Sequence, residues 1–189
     1  MRIISGKAKG TKLFTLEGYE TRPTLERAKE ALFNIIGNNI IESNFLDLFS
    51  GSGQIGLEAA SRGARKVILS EKSKKAANII NKNIKKTHME SIVELNIIDY
   101  EDEIKTIKEE QDFIFIDPPF RANLYLEILK KLLENKIIIG KNTTIIIETE
   151  NSQEIEDQIK KISEFKIKSK RKYGRIEFIF IKKLEEVKN

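Results

Sequence analysis

The sequence predicts an α/β fold: an open, mostly parallel sheet with helices on both faces and an antiparallel hairpin at one edge. Three observations predict it. From Asn44 onward, short apolar runs alternate with segments of helical pattern. Runs such as "FIFI" and "TIIIE" are apolar without interruption, as in strands buried on both faces of a helix-covered parallel sheet. The end differs: "FKIKSKRKYGRIEFIFIK" reads as two strands around a Tyr173-Gly174 turn, a hairpin by pattern.

The elements follow in order. Residues 1–20 are expected to form a small β extension: "RIIS", a turn at Gly6, then "GTKLFTL". In "TRPTLERAKEALFNIIG", Thr24 is the expected N-cap after Pro23. Leu25, Ala28, Leu32, Ile35 and Ile36 recur at helical spacing, and Gly37 is the expected stop. Strands are expected at 45–49, 66–70, 91–95, 112–116 and 143–148, with helices at about 54–62, 73–86, 101–109, 122–134 and 152–161 between and after them. Residues 21–189 would then form one domain behind the extension.

Composition narrows the functions. Of 189 residues 40% are hydrophobic, enough for a sizeable core. No apolar run approaches 18 residues and no signal-peptide pattern opens the chain, so a soluble, cytoplasmic protein is expected. There is no cysteine, hence no disulfide framework and no thiolate zinc site. The single histidine, His88, lies in a polar stretch, which argues against a Ser-His-Asp triad and a histidine-held metal. A magnesium held by carboxylates stays open. Net charge is +5, and its placement matters more than its size. Arg2, Lys7, Lys9 and Lys12 precede any acid, and Lys166, Lys168, Lys170, Arg171, Lys172 and Arg175 have none between them. Such clusters suit a nucleic-acid backbone, and Tyr173 could add a stacking face. A solvated, lysine-rich surface accounts for any one of them equally well.

Ligands of open α/β sheets sit beyond the carboxyl ends of the strands. The first strand runs into "DLFSGSGQIG", where Gly51, Gly53 and Gly56 spell G-x-G-x-x-G, and Glu71 follows twenty residues after Gly51. The glycines let backbone approach a ligand, and Glu71 is placed to accept from ribose hydroxyls. A tight structural turn, a nicotinamide dinucleotide and S-adenosylmethionine all fit this pattern. Asp47, four residues before Gly51, suits a cationic, amino-bearing ligand and would oppose a pyrophosphate.

The fourth strand ends in "FIDPPF". Pro118 biases Asp117 toward extended backbone, and Pro119 does the same to Pro118. Neither proline has an N–H. The Asp117 carboxylate and the Pro118 carbonyl can therefore accept both hydrogens of a planar exocyclic amine while Phe120 stacks on its ring. Holding both hydrogens frees the nitrogen lone pair for an electrophilic methyl, and Asp117 can take the proton afterwards. Alone, D-P-P also serves as a proline-capped loop entry.

Together these motifs resemble Rossmann-type methyltransferases that modify exocyclic amines. "MRIISGKAKGTKL", "TRPTLERAKEALFNII", "DLFSGSGQIGLEAASRGA", "FIDPPF" and a late "YG" resemble, in order, the RsmD family of bacterial 16S rRNA guanine-N2 methyltransferases. The resemblance spans almost the whole chain. It implies a Rossmann-like class I methyltransferase with seven strands, S-adenosylmethionine as cofactor, and 16S rRNA or the small ribosomal subunit as partner. No metal or membrane is implied, and a monomer is expected. It also implies roles. Asp47, Phe49, Ser50, Gly51 and Gly53 line the methionine side of the cofactor. Glu71 meets the ribose and Asp99 the adenine, and Lys72 and Tyr100 are also cofactor-binding. Arg22 and Thr24 form the R-P-T element beside the active site. Asp117, Pro118, Pro119 and Phe120 hold the guanine amine. Ser50 stands where the family commonly has alanine and Ala60 where it has leucine; neither removes a chemical group.

Alternatives remain at this level. "DPPF" does not separate guanine N2 from adenine N6, so a DNA adenine methyltransferase shares the chemistry, although 189 residues leave little room for a DNA-recognition domain. A nicotinamide oxidoreductase explains the glycines but not "DPPF". A non-catalytic RNA-binding module would leave every one of these groups idle.

Overall fold

The computed structural model describes residues 1–15, 23–119 and 124–184, with only the backbone of 23 and 24. Seven strands form one sheet in the order β3-β2-β1-β4-β5-β7-β6. The strands are β1 (Asn44–Asp47), β2 (Lys66–Ser70), β3 (Val93–Asn96), β4 (Phe113–Ile116), β5 (Thr144–Thr149), β6 (Phe165–Tyr173) and β7 (Ile176–Lys183). β1 to β5 pair in parallel, whereas β7 runs antiparallel to both β5 and β6. The mostly parallel sheet with an antiparallel C-terminal edge is thus the one that the apolar runs and the Tyr173-Gly174 turn predict.

Among the described residues six α-helices cover it: α1 (Pro23–Ile36), α2 (Gln54–Ser61), α3 (Lys74–Thr87), α4 (Tyr100–Thr106), α5 (Leu124–Glu134) and α6 (Ser152–Ile159). α1, α2 and α3 bury Leu32, Phe33, Leu57 and Ile80 in one apolar cluster with Phe45, Val67 and Phe178 of the sheet. α4, α5 and α6 bury Ile104, Ile128, Leu132 and Ile155 against the other face, with Ile114, Ile116 and Ile147. Strands apolar on successive residues therefore feed two cores at once. α1 starts at Pro23, two residues before the Leu25 start that a Thr24 cap would give, so Thr24 is not its cap. Proline suits the first helical position because its fixed φ is helical and its missing N–H would have no partner there. Gly37, at φ +58°, ends the helix as expected.

The N-terminal extension is less of a β unit than its sequence suggests. Among the described residues it holds one antiparallel bridge, Arg2 to Lys12. Backbone bonds flank that bridge, from Ile3 N–H to the Thr11 carbonyl at 3.0 Å, Gly10 N–H to the Ile3 carbonyl at 2.8 Å and Leu13 N–H to the Met1 carbonyl at 2.9 Å. Other groups go to α2. The Ile4 and Ser5 N–H groups donate to the Glu58 carboxylate at 2.8 and 3.0 Å, and Ala8 N–H donates to Ser61 Oγ at 3.0 Å. Ser61 Oγ in turn donates to the Ser5 carbonyl at 2.6 Å. A helix thus satisfies donors that a strand would otherwise meet. Glu58 is fully buried and also bound by Lys29 of α1 at 3.4 Å and Arg62 at 2.8 Å. Lys29 donates onward to the Arg2 carbonyl at 2.7 Å. One carboxylate therefore ties the extension, α1 and α2 together.

Candidate active site

The strand order reverses direction between β1 and β4, which is where open α/β sheets hold their ligands. Register brings Asp47 of β1 opposite Phe115 of β4 and Ile116 opposite Ile147 of β5. Asp47, Asp117 and Glu148 therefore emerge from three neighbouring strand ends. Asp47 is fully buried and accepts from the Phe49 N–H at 3.3 Å. Burial, with repulsion from Asp117 and Glu71, pushes its carboxyl up to about 8 from an ordinary 3.8. Asp117 is open to solvent yet walled by protein, as a group on the floor of a crevice is. Burial there, with Glu150 nearby, pushes it up to about 7. Glu148 is raised well above its ordinary range by burial and then by Asp117 and Asp47. Three carboxyl groups thus face one another, and among the described residues no ion pair reaches them. That is the donor set for a positively charged ligand, and a sulfonium bearing an ammonium fits it.

The glycine loop shapes one wall. Gly51, at φ +56°, has open space where a side chain would stand, so a ligand can meet its backbone. Gly56 has another duty: a Cβ there would lie 2.2 Å from Leu69 Cδ2 of β2, so only glycine lets α2 close on the sheet. Glu71 anchors the loop, accepting from Gly51 N–H at 3.0 Å and Ser73 N–H at 2.7 Å. Its carboxylate stands just past the end of β2, held by two main-chain donors. Ser50 turns inward, donating to the Asp47 carbonyl at 3.0 Å, so its hydroxyl braces the loop. Gly53, at φ +77°, is the residue that opens α2.

Farther along, Asp99 caps α4 and pairs with Lys72 at 3.3 Å. Phe49 and Tyr100 lie ring to ring at 5.3 Å, and Tyr100 Oη donates to Glu127 at 3.2 Å. Burial and Glu127 raise the Tyr100 hydroxyl. Asp47, Phe49, Gly51, Glu71, Asp99 and Tyr100 thus lie along successive ends of β1, β2 and β3. Pro118 is buried, and no cis peptide bond occurs among the described residues. Arg22 and Phe120 lie outside the described residues, as does the side chain of Thr24.

The basic segments behave differently. Arg2, Lys7, Lys9 and Lys12 are all exposed on the extension, with Arg2 paired to Glu26 of α1 at 3.3 Å. On the hairpin these cations meet acids: Lys170 pairs with Glu156 of α6, Lys172 with Glu177 of β7 at 3.2 Å, and Arg175 with Glu150 at 3.0 Å. Arg171 donates to the Lys170 carbonyl at 2.7 Å. Sequence reading missed Glu148 and Tyr125, whose hydroxyl donates to the Glu148 carbonyl at 3.1 Å and is pushed up to about 12 by burial and by Asp117. The signal for Glu148 was available, since it ends an apolar strand as Asp47 and Asp117 do.

Fold and site together define a class I, S-adenosylmethionine-dependent methyltransferase. A family model described as Conserved hypothetical protein 95 matches residues 1–182. The Ribosomal RNA small subunit methyltransferase D of Haemophilus influenzae is 37% identical over 162 residues, 81% of this chain and 80% of that one. The protein of the same name from Buchnera aphidicola of Acyrthosiphon pisum is 39% identical over 155 residues, 81% and 80% of the two chains. A solved structure of a putative methylase from Haemophilus influenzae superimposes with a TM-score of 0.74 at 30% identity, covering 97% of this chain and 98% of that one. The chain belongs to this family, the RsmD family of methyltransferases.

Proposed function

We propose that this protein transfers a methyl group from S-adenosylmethionine to the exocyclic N2 of a guanine in 16S rRNA. The observation that carries the reading is the accessible Asp117 on the crevice floor, one strand from the buried Asp47 at the β1–β4 reversal. Asp47, the Gly51 backbone, Glu71 and Asp99 would hold the cofactor, with Phe49 and Tyr100 as the aromatic wall, Lys72 fixing Asp99, and Arg22 and Thr24 beside the mouth. When bound, the cofactor supplies an electrophilic methyl on a cationic sulfur. Asp117 and the Pro118 carbonyl grip both amine hydrogens, Pro119 keeps that corner rigid, and Phe120 supplies the stacking face. Gripping the amine aims its lone pair. Asp117, already raised toward neutrality, is suited to accept the proton as the amine is methylated. No metal is needed for these steps, and a monomer suffices because every named group lies on one chain. The relatives named above supply the rRNA substrate.

The test uses tritiated methyl transfer onto small-subunit particles and free 16S rRNA from cells lacking this protein, followed by nucleoside identification. N2-methylguanosine is the expected product. Methylation confined to duplex DNA, or none on any RNA, overturns the reading.

A further inference from the structure

The sequence places its basic clusters at the two ends of the chain, but the structure builds a third. α3 carries Lys74, Lys75, Lys82, Lys85 and Lys86 and no acidic residue. At about 100° per residue these five fall within an arc of about 120°, on one side of a helix about 20 Å long. All five are exposed. Among the described residues none makes an ion pair; Lys86 instead lies 4.4 Å above the ring of Phe14. Two further exposed polar residues, Asn78 within this arc and Asn81 at its edge, complete the face. An ordinary solvated helix face mixes signs at i,i+4 spacing; this one is of a single sign.

Its position links it to the crevice. Asn83, fully buried on the opposite side of α3, accepts from Phe14 N–H at 2.7 Å and donates to the Phe14 carbonyl and the Ser52 carbonyl, each at 2.9 Å. One amide therefore holds the end of the extension against the cofactor loop. It also fixes the backbone of Phe14, whose side chain is an exposed aromatic on this face at 46% exposure. Exposed aromatics beside unpaired cations are what unpaired nucleotides bind to: the ring stacks a base while the ammonium groups meet phosphates.

Resting on the function proposed above, we infer that the lysine face of α3, with Phe14 at its margin, is the track that holds the rRNA backbone next to the target base. Phe14 stacks a base flanking the target, and Lys82, Lys85 and Lys86 neutralise consecutive phosphates.

The test compares the wild-type chain, the triple variant Lys82→Gln/Lys85→Gln/Lys86→Gln, Phe14→Ala, and the hairpin variant Lys170→Gln/Arg171→Gln/Lys172→Gln. The probe is a 16S rRNA fragment containing the methylated site, titrated between 50 and 200 mM salt; S-adenosylmethionine binding by calorimetry reports the integrity of the fold. The triple variant is expected to lose affinity about 10- to 100-fold and to lower the log–log salt slope by about 2, at about 0.7 per lost single-strand contact. Phe14→Ala is expected to weaken binding about 10-fold with an unchanged slope. Cofactor binding should stay within about twofold in both. An unchanged salt slope in the triple variant, or a larger change in the hairpin variant, overturns the inference and leaves the function standing. A wild-type chain that neither binds nor methylates rRNA removes the function itself.

Discussion

The buried carboxylate of Glu58 and the carboxylates at the ends of β1, β4 and β5 meet opposite fates. Glu58 receives two main-chain N–H groups, a lysine and an arginine. Asp47, Asp117 and Glu148 face one another without an ion pair among the described residues, and all three are raised. The first group is complete in the protein alone and serves to join segments. The second is complete only when a positive ligand arrives. Partnering, more than burial, separates a structural charge from a binding charge.

Variants that remove one group at a time sharpen this contrast. Asp117→Ala should reduce methyl transfer by 10³-fold or more, with cofactor affinity held within a few-fold, in a single-turnover assay. Glu58→Ala should destabilise the fold by about 3–5 kcal/mol in urea denaturation, because it strands Lys29, whose ammonium burial already pushes down. Equal losses at the two carboxylates in both assays would erase the distinction. Asp47→Asn should do the reverse of Glu58→Ala. It should weaken cofactor binding yet stabilise the ligand-free protein at pH 8, as read by urea denaturation.

A pH series gives a smaller and more diagnostic effect. The Asp47 carboxyl is raised from 3.8 to about 8, so the folded chain holds a proton there that the unfolded chain has lost. Its contribution is fully present below about pH 4 and disappears as pH rises through 8. The stability gap between wild type and Asp47→Asn should therefore widen from pH 5 to 8 and flatten above. Cofactor binding should tighten over the same interval with release of protons, measurable by calorimetry in buffers of different ionisation enthalpy. The smallest effect belongs to the hairpin. Removing Lys172 or Arg175 should change stability by less than about 1 kcal/mol, since their ion pairs are exposed.

Much of this was legible in the sequence. Uninterrupted apolar strands, the glycine loop and the proline corner announced the sheet and the places where ligands gather, because both depend on local pattern. What stayed hidden depends on distance. The hairpin's cations read as one block, but Glu150 and Glu156 come from before the hairpin to meet Arg175 and Lys170. The α3 lysines never form a block, because apolar residues required by the core separate them; only the helical turn gathers them. The extension read as a β unit because its donors had no visible alternative, and Glu58 is more than fifty residues away from them.

The lysines of β6 have a consequence of their own. β6 is the outermost strand, hydrogen-bonded on one side by β7 alone. Lys166, Lys168, Lys170 and Lys172 stand exposed along it. An unprotected strand at a sheet's margin invites a second copy to add on and templates fibrous growth. A neighbour approaching this margin would set one cationic row against another, so the charges that looked like a grip on RNA also act as a fence against self-association.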